Sequence, residues 1–194
     1  MNRDFSRINT YLNRLLEDVY GQPEDPGHAK WARDVFENWF EPYSEIKALL
    51  DVGCGDDAFM RKWFEEEKGV KYTGIAIKTL SPNVINMDFS FLDFPDNSFD
   101  CILSRHSLEH SPMPLLTLME WYRVSRAWLC VILPNPVAYG WAGLNHYSVM
   151  HPNQIEFLLG RAGWNPIWSD FSEPTELRYF CEKNRKSEYE KATE

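Results

Sequence analysis

The chain is short of cysteine, of basic residues and of any long apolar run, and each shortage excludes something. Its four cysteines, Cys54, Cys101, Cys130 and Cys181, stand far apart, and none forms a Cys-x-x-Cys pair. That spacing argues against a disulfide framework or a cysteine-ligated zinc, and for reduced thiols inside a cell. Lys and Arg number 20 against 29 Asp and Glu, a formal net charge of −9. With no Lys/Arg-rich run to offset that balance, a phosphate backbone is repelled and nucleic acid is an unfavoured partner. No segment is apolar for long enough to span a bilayer. No cationic start leads into an apolar stretch, as a secretory signal would require. These absences together lead us to expect a cytoplasmic protein. Internal repeats and low-complexity segments are lacking too. What is present is core-forming material: of the 194 residues, 44% are hydrophobic and 15% aromatic. That suits one domain with a small addition.

From about Asp4 to Val19, Phe5, Ile8, Tyr11, Leu12, Leu15, Leu16 and Val19 recur with a helical period along one stripe. "GQPEDPGH" breaks the chain with two prolines and two glycines. "AKWARDVFENWFEPY" then reads as a second helix, with Trp31, Val35, Trp39 and Phe40 near one face. Residues 1–45 are therefore expected to be a helical extension or lid, 46–183 the main domain, and 184–194 a polar, fraying tail. In the main domain strands and helices alternate. Strands are expected at "KALLDV", "VKYTGIAI", "NVINMD", "FDCILS", "WLCVILP", "WNPIWSDF" and "ELRYFCE". Helices are expected over about 57–66, 113–125 and 152–163, with Pro152 in the first turn and Gly163 as the stop. Residues 135–151 read as a long loop. Such alternation predicts an α/β fold with a mostly parallel seven-stranded sheet covered on both faces. One spacing is odd. Between the second and third strands there is room only for "KTLSP", whereas parallel neighbours are usually joined by a crossover of a dozen or more residues. One sheet face is thus expected to be under-covered, open to the N-terminal helices or to a second copy of the chain in a homodimer. Trp31, Trp39, Trp121 and Trp128 are expected in the core.

"LLDVGCGDDAF" places a glycine turn between a strand and a helix. Gly53 and Gly55 let the backbone approach a ligand closely, and the helix start favours negative charge. Gly53, Gly55 and Ala58 match a dinucleotide fingerprint only weakly. Asp51, Asp56 and Asp57 crowd the place of a pyrophosphate, and Ala76 stands where an acid would hold a ribose diol. A nicotinamide-type oxidoreductase is therefore disfavoured. A cofactor carrying an ammonium and a sulfonium suits those acids better.

Four blocks in order strengthen that reading. "LLDVGCGDDAF" resembles the first motif of class I S-adenosylmethionine-dependent methyltransferases. "MDFSFLDFPDNSFDCILSRHSLEHS", "EWYRVSRAWLCVILPNP" and "NHYSVMHPNQIEFLLGRAGW" resemble their later blocks, so the similarity spans about Leu49 to Trp164. The resemblance implies a Rossmann-like three-layer sandwich and S-adenosyl-L-methionine as cofactor. The short crossover is shared with members that act on sugars, so a small-molecule or saccharide acceptor, methylated on oxygen, is expected. By position, Asp51, Gly53, Cys54 and Gly55 would line the methionine end of the cofactor. Asp88, Phe89 and Leu92 would border the adenine, while Ser104 and Arg105 would face the donor methyl. Two positions depart from the pattern: Asp57 replaces a third glycine, and Ala76 replaces the ribose-binding acid. Losing such a charged contact costs on the order of 1.5–3 kcal/mol, or about ten- to a hundredfold in affinity. A weak or inactive methyltransferase-like binding module is the alternative that Ala76 motivates.

"RHSLEHS" puts His106, Glu109 and His110 within one turn, and His146 lies in the loop expected to return to the same rim. His-x-x-Glu-His is also the inverted zinc-protease motif, but that motif needs a long helix, and Pro112 and Pro114 follow at once. Small-RNA 2′-O-methyltransferases resemble this segment in using an acid, Glu-His and a distant His to hold a metal; here His106 replaces the acid. A metal-assisted RNA 2′-O-methyltransferase is kept as an alternative, although no metal is expected. Without one, His106 or His146 is expected to act as general base for a hydroxyl, with Glu109 orienting it. His151 precedes Pro152 and reads as a helix-start residue. Tyr139, Trp141 and Tyr147 read either as acceptor-pocket walls or as loop packing.

Overall fold

The computed structural model describes residues 6–17, 33, 36–37, 46–55, 58–139 and 145–184. Strands form where β-branched and other apolar residues run together, because burial on both sheet faces leaves no polar alternation. Strands β1 (Ala48–Val52), β2 (Lys71–Ala76), β3 (Ile85–Asn86), β4 (Phe99–Arg105) and β5 (Ser125–Pro134) pair in parallel. Strand β7 (Glu176–Lys183) runs antiparallel between β5 and β6 (Trp164–Asp170). The sheet order is β3-β2-β1-β4-β5-β7-β6. The expected mostly parallel seven-stranded sheet is thus present.

Side chains alternate between the two faces with the period of two that a strand imposes. Leu50, Val52, Ile102, Leu129 and Val131 enter one core; Leu49, Cys101, Leu103, Cys130 and Ile132 enter the other. Helices α3 (Pro114–Val124) and α5 (Pro152–Ala162) cover the first face with Leu118, Trp121, Val124, Ile155 and Leu159. Helix α5 starts and stops as its sequence directs. His151 and Gln154 form a reciprocal cap, and Gly163 ends the helix at φ +95°.

Helix α2 (Ala58–Lys62) continues as a π-helical turn, Trp63–Glu67, and covers the second face with Met60, Trp63 and Phe64. The short crossover is real: residues 77–84 hold only turns. Part of the resulting gap is filled from the N-terminal extension. Phe36 is buried and meets Phe64 edge-on, with ring centres 5.0 Å apart. Trp31, Val35, Trp39 and Phe40 lie outside the described residues. Trp121 is fully buried as expected, whereas Trp128 is half-buried and stacks on Phe180. One difference from the sequence reading is α4 (Pro136–Tyr139), a short helix where a loop was expected. Its cause is local: Pro136 opens it, and Asn135 accepts a hydrogen bond from the Val137 N–H at 3.0 Å.

Asp100 joins three strands. Its carboxylate accepts the N–H groups of Lys47 and Ala48 at 2.9 Å each and pairs with Arg126 at 2.9 Å. Among the described residues no helix is long and apolar enough to cross a membrane.

Candidate active site

The strand order reverses between β1 and β4, and ligands of open α/β sheets bind beyond the carboxyl ends of the strands at such a point. A cavity of about 130 Å³ lies there. Gly53, Gly55, Asp88, Phe89 and His106 all line it. Helix α1 (Ser6–Glu17) closes one side with Leu12 and Leu15.

The glycine turn is held from two directions. The N–H groups of Gly53 and Cys54 both donate to the Ile75 carbonyl, at 2.8 and 3.1 Å. On the other side Ser107 donates its hydroxyl to the Val52 carbonyl at 2.9 Å. Gly53 has φ +75°, and a Cβ there would stand 2.8 Å from Ser107 Cβ, so only glycine fits. Beneath the turn, Asp51 is buried and accepts the Tyr72 hydroxyl at 2.6 Å. Cys54 is half-buried. Asp56 and Asp57 lie outside the described residues.

Across the cavity, Asp88 caps its own turn by accepting the Ser90 N–H at 2.8 Å. Phe89 is fixed from behind, since Trp121 donates its indole N–H to the Phe89 carbonyl at 2.9 Å. Leu92 sits in the core behind this wall, and its N–H bonds Glu120 at 2.9 Å. Ser104 is fully buried at the end of β4, while Arg105 beside it is half-buried. Ala76 lines the cavity at the end of β2 and offers no charge there.

After β4 the chain turns sharply. His106 adopts φ +48°, rare for a residue with a side chain and a mark of local strain. That conformation sets its ring between two buried acids. Nε2 lies 3.1 Å from Glu176 Oε1, and Nδ1 lies 3.7 Å from Glu109 Oε1. Glu176 also binds Arg178 at 2.9 Å. Burial alone would raise the pKa of Glu176, but His106 and Arg178 together outweigh it and hold the acid below its ordinary value. Glu109 differs: burial pushes it up to about 7, only partly offset by His106.

Residues Leu108–His110 form a 3₁₀ turn. The Glu109 carbonyl accepts the N–H groups of Tyr147 and Ser148 at 2.8 and 2.9 Å, which brings the returning loop to this rim. His146 therefore meets His110, with ring centres 4.7 Å apart. His110 Nδ1 lies 3.0 Å from the Asn145 carbonyl, which only accepts, so Nδ1 carries the proton. Burial lowers the pKa of both His110 and His146, so both imidazoles are neutral near pH 7. Tyr147 lines the cavity; the Tyr139 side chain and Trp141 lie outside the described residues. No sequence pattern marks Glu176, which arrives from the last strand, or Ser107, whose packing role no spacing reveals. His110 stands in the "LEH" triplet, where spacing alone does not show its role.

The described strands, turn and cavity define a nucleotide-type α/β fold. The model of a methyltransferase-domain family matches residues 50–127. No curated protein matches the chain. Among solved structures, the chain resembles an S-adenosylmethionine-dependent methyltransferase from Aquifex aeolicus. Its TM-score is 0.62 at 17% identity, covering 94% of this chain and 100% of that one. A second such enzyme, from Archaeoglobus fulgidus, also scores 0.62 at 17% identity, covering 80% of this chain and 94% of that one. The magnesium protoporphyrin IX methyltransferase of Synechocystis, solved with S-adenosylhomocysteine bound, scores 0.61 at 14% identity and covers 93% and 97% of the two chains. Residues 50–127 thus match a methyltransferase domain, and the fold is the one these S-adenosylmethionine-dependent methyltransferases share.

Proposed function

We propose that the enzyme methylates an oxygen of a small or sugar-like hydroxylated acceptor. The observation that carries this is the pair of half-buried, neutral imidazoles, His110 and His146, on the rim of the cavity that the glycine turn opens. A hydroxyl needs a proton acceptor at neutral pH, and a neutral imidazole is one.

The cavity suits the cofactor. Gly53 lets the turn pack on Ser107 and lines the cavity, Asp51 lies under the turn, and Asp88 with Phe89 offers an acid and an aromatic edge on the far side. When bound, S-adenosylmethionine supplies an electrophilic methyl on a sulfonium. Asp51, Gly53, Cys54 and Gly55 hold its methionine end in this reading. Asp88, Phe89 and Leu92 frame its adenine, and Ser104 and Arg105 border the methyl region. His110 and His146 take the acceptor proton. His106, fixed between Glu176 and Glu109, positions that rim and the acceptor. Leu12 and Leu15 of α1 exclude water from the cavity.

A labelled methyl donor with a panel of hydroxylated and amine acceptors tests this. Label recovered as an O-methyl ether supports it; label recovered only in amines contradicts it. Ala76 supports a second reading, a weak or inactive binding module. That reading predicts S-adenosylhomocysteine binding without transfer to any acceptor.

A further inference from the structure

We propose that Glu109, His110 and His146 form a binding site for one divalent transition-metal ion of the zinc class. Each residue offers a ligand atom, and the three atoms lie within 4.8 Å of one another. Bonds of about 2.0–2.2 Å place ligand atoms roughly 3–4 Å apart, so the side chains need to close by about an ångström. His146, carried on a loop, supplies that travel.

Two independent features point to a cation. Glu109 is only 1% exposed, and neither carboxylate oxygen has a hydrogen-bond partner. The His106 ring, 3.7 Å away, is beyond hydrogen-bond distance. A buried carboxylate without donors is strongly disfavoured, and a bound cation removes the penalty. The second feature is the orientation of His110. Its Nδ1–H donates to the Asn145 carbonyl, leaving Nε2 with a lone pair. Metal-bound imidazoles are held by just such a second hydrogen bond. His146 adds a buried Nδ1 with no partner.

One carboxylate and two imidazoles suit zinc and its neighbours, whereas calcium and magnesium prefer all-oxygen sites. Three protein ligands also leave a position open for a water or an acceptor oxygen. An imidazole that holds the ion has no lone pair left for a proton, so in the metal-loaded protein the acceptor hydroxyl would meet the ion and not a free His110 or His146. That role rests on the acceptor reading above; the metal site itself does not. In the sequence, His106 replaces an acid and argues against a metal. The set found here does not use His106.

The test uses the full chain, stripped with a chelator and dialysed. Cobalt(II) is titrated by visible absorption and zinc(II) by competition. Expected is one tightly bound equivalent. Glu109→Gln and His146→Ala each weaken binding by about a hundredfold, while His106→Asn and His151→Ala retain it. Circular dichroism confirms that each variant is folded, and His146→Ala, on the loop, keeps the test valid if Glu109→Gln is not. Cobalt binding unchanged in His146→Ala, or no bound equivalent in the native chain, overturns the proposal. S-adenosylhomocysteine calorimetry on the same samples separates the two claims. Cofactor binding without metal overturns only the site proposed here. Metal binding without cofactor supports it and contradicts the methyltransferase reading.

Discussion

Gly53 cannot carry a side chain. Its φ of +75° strains any other residue, and a Cβ would press on Ser107. Gly53→Ala should therefore displace the turn and reduce S-adenosylhomocysteine affinity at least about tenfold, since a misplaced turn loses contacts worth 1.4 kcal/mol or more. Calorimetry of the folded variant checks this. Ala76 offers the opposite experiment. It lines the cavity at the end of β2, and its methyl offers no charge there. Ala76→Asp should raise cofactor affinity, by up to about tenfold, if a diol sits there. An unchanged or weaker affinity would place the ribose elsewhere. Some of this was legible in the sequence. Gly53 and Ala76 stand out because one fixes backbone conformation and the other breaks a charge pattern. Glu176 was not legible: its partner His106 is far away in the chain, and only sheet order joins them.

At the scale of elements, Asp100 ties the start of β1 to β4 and β5. Burial would raise its pKa, but Arg126 and the two backbone N–H groups outweigh burial and lower it from 3.8. The folded state thus holds this proton less tightly than the unfolded chain does. The stabilisation is fully present above the unfolded pKa of about 3.9 and is lost as pH falls through the lower folded value. Asp100→Ala should cost about 1–3 kcal/mol at neutral pH, and the difference should shrink below about pH 4. Urea denaturation at several pH values checks both. Helix α1 allows a second prediction. Leu12 and Leu15 face the cavity, while Ile8 and Tyr11 are exposed. Leu12→Ser with Leu15→Ser should weaken cofactor binding severalfold while leaving the melting temperature nearly unchanged, because α1 adds little to the core. The strands were legible because burial on both faces produces apolar runs. The missing crossover helix was legible from spacing alone. Phe36 was not, since its burial depends on where the N-terminal segment crosses the sheet, and α4 depends on one proline and one cap.

For the whole molecule, the acidic charge balance and the α/β sheet act on different questions. The charge, −9 overall, bears on partners and disfavours polyanions. The sheet order creates one crevice, and every residue assigned a chemical role lies in or directly behind it. The central claim is that this crevice holds S-adenosylmethionine. Calorimetric titration of the full chain with S-adenosylhomocysteine tests it most directly. One site of micromolar affinity, weakened in Gly53→Ala, is the expected result. No heat up to millimolar ligand, on a chain shown to be folded, would contradict it.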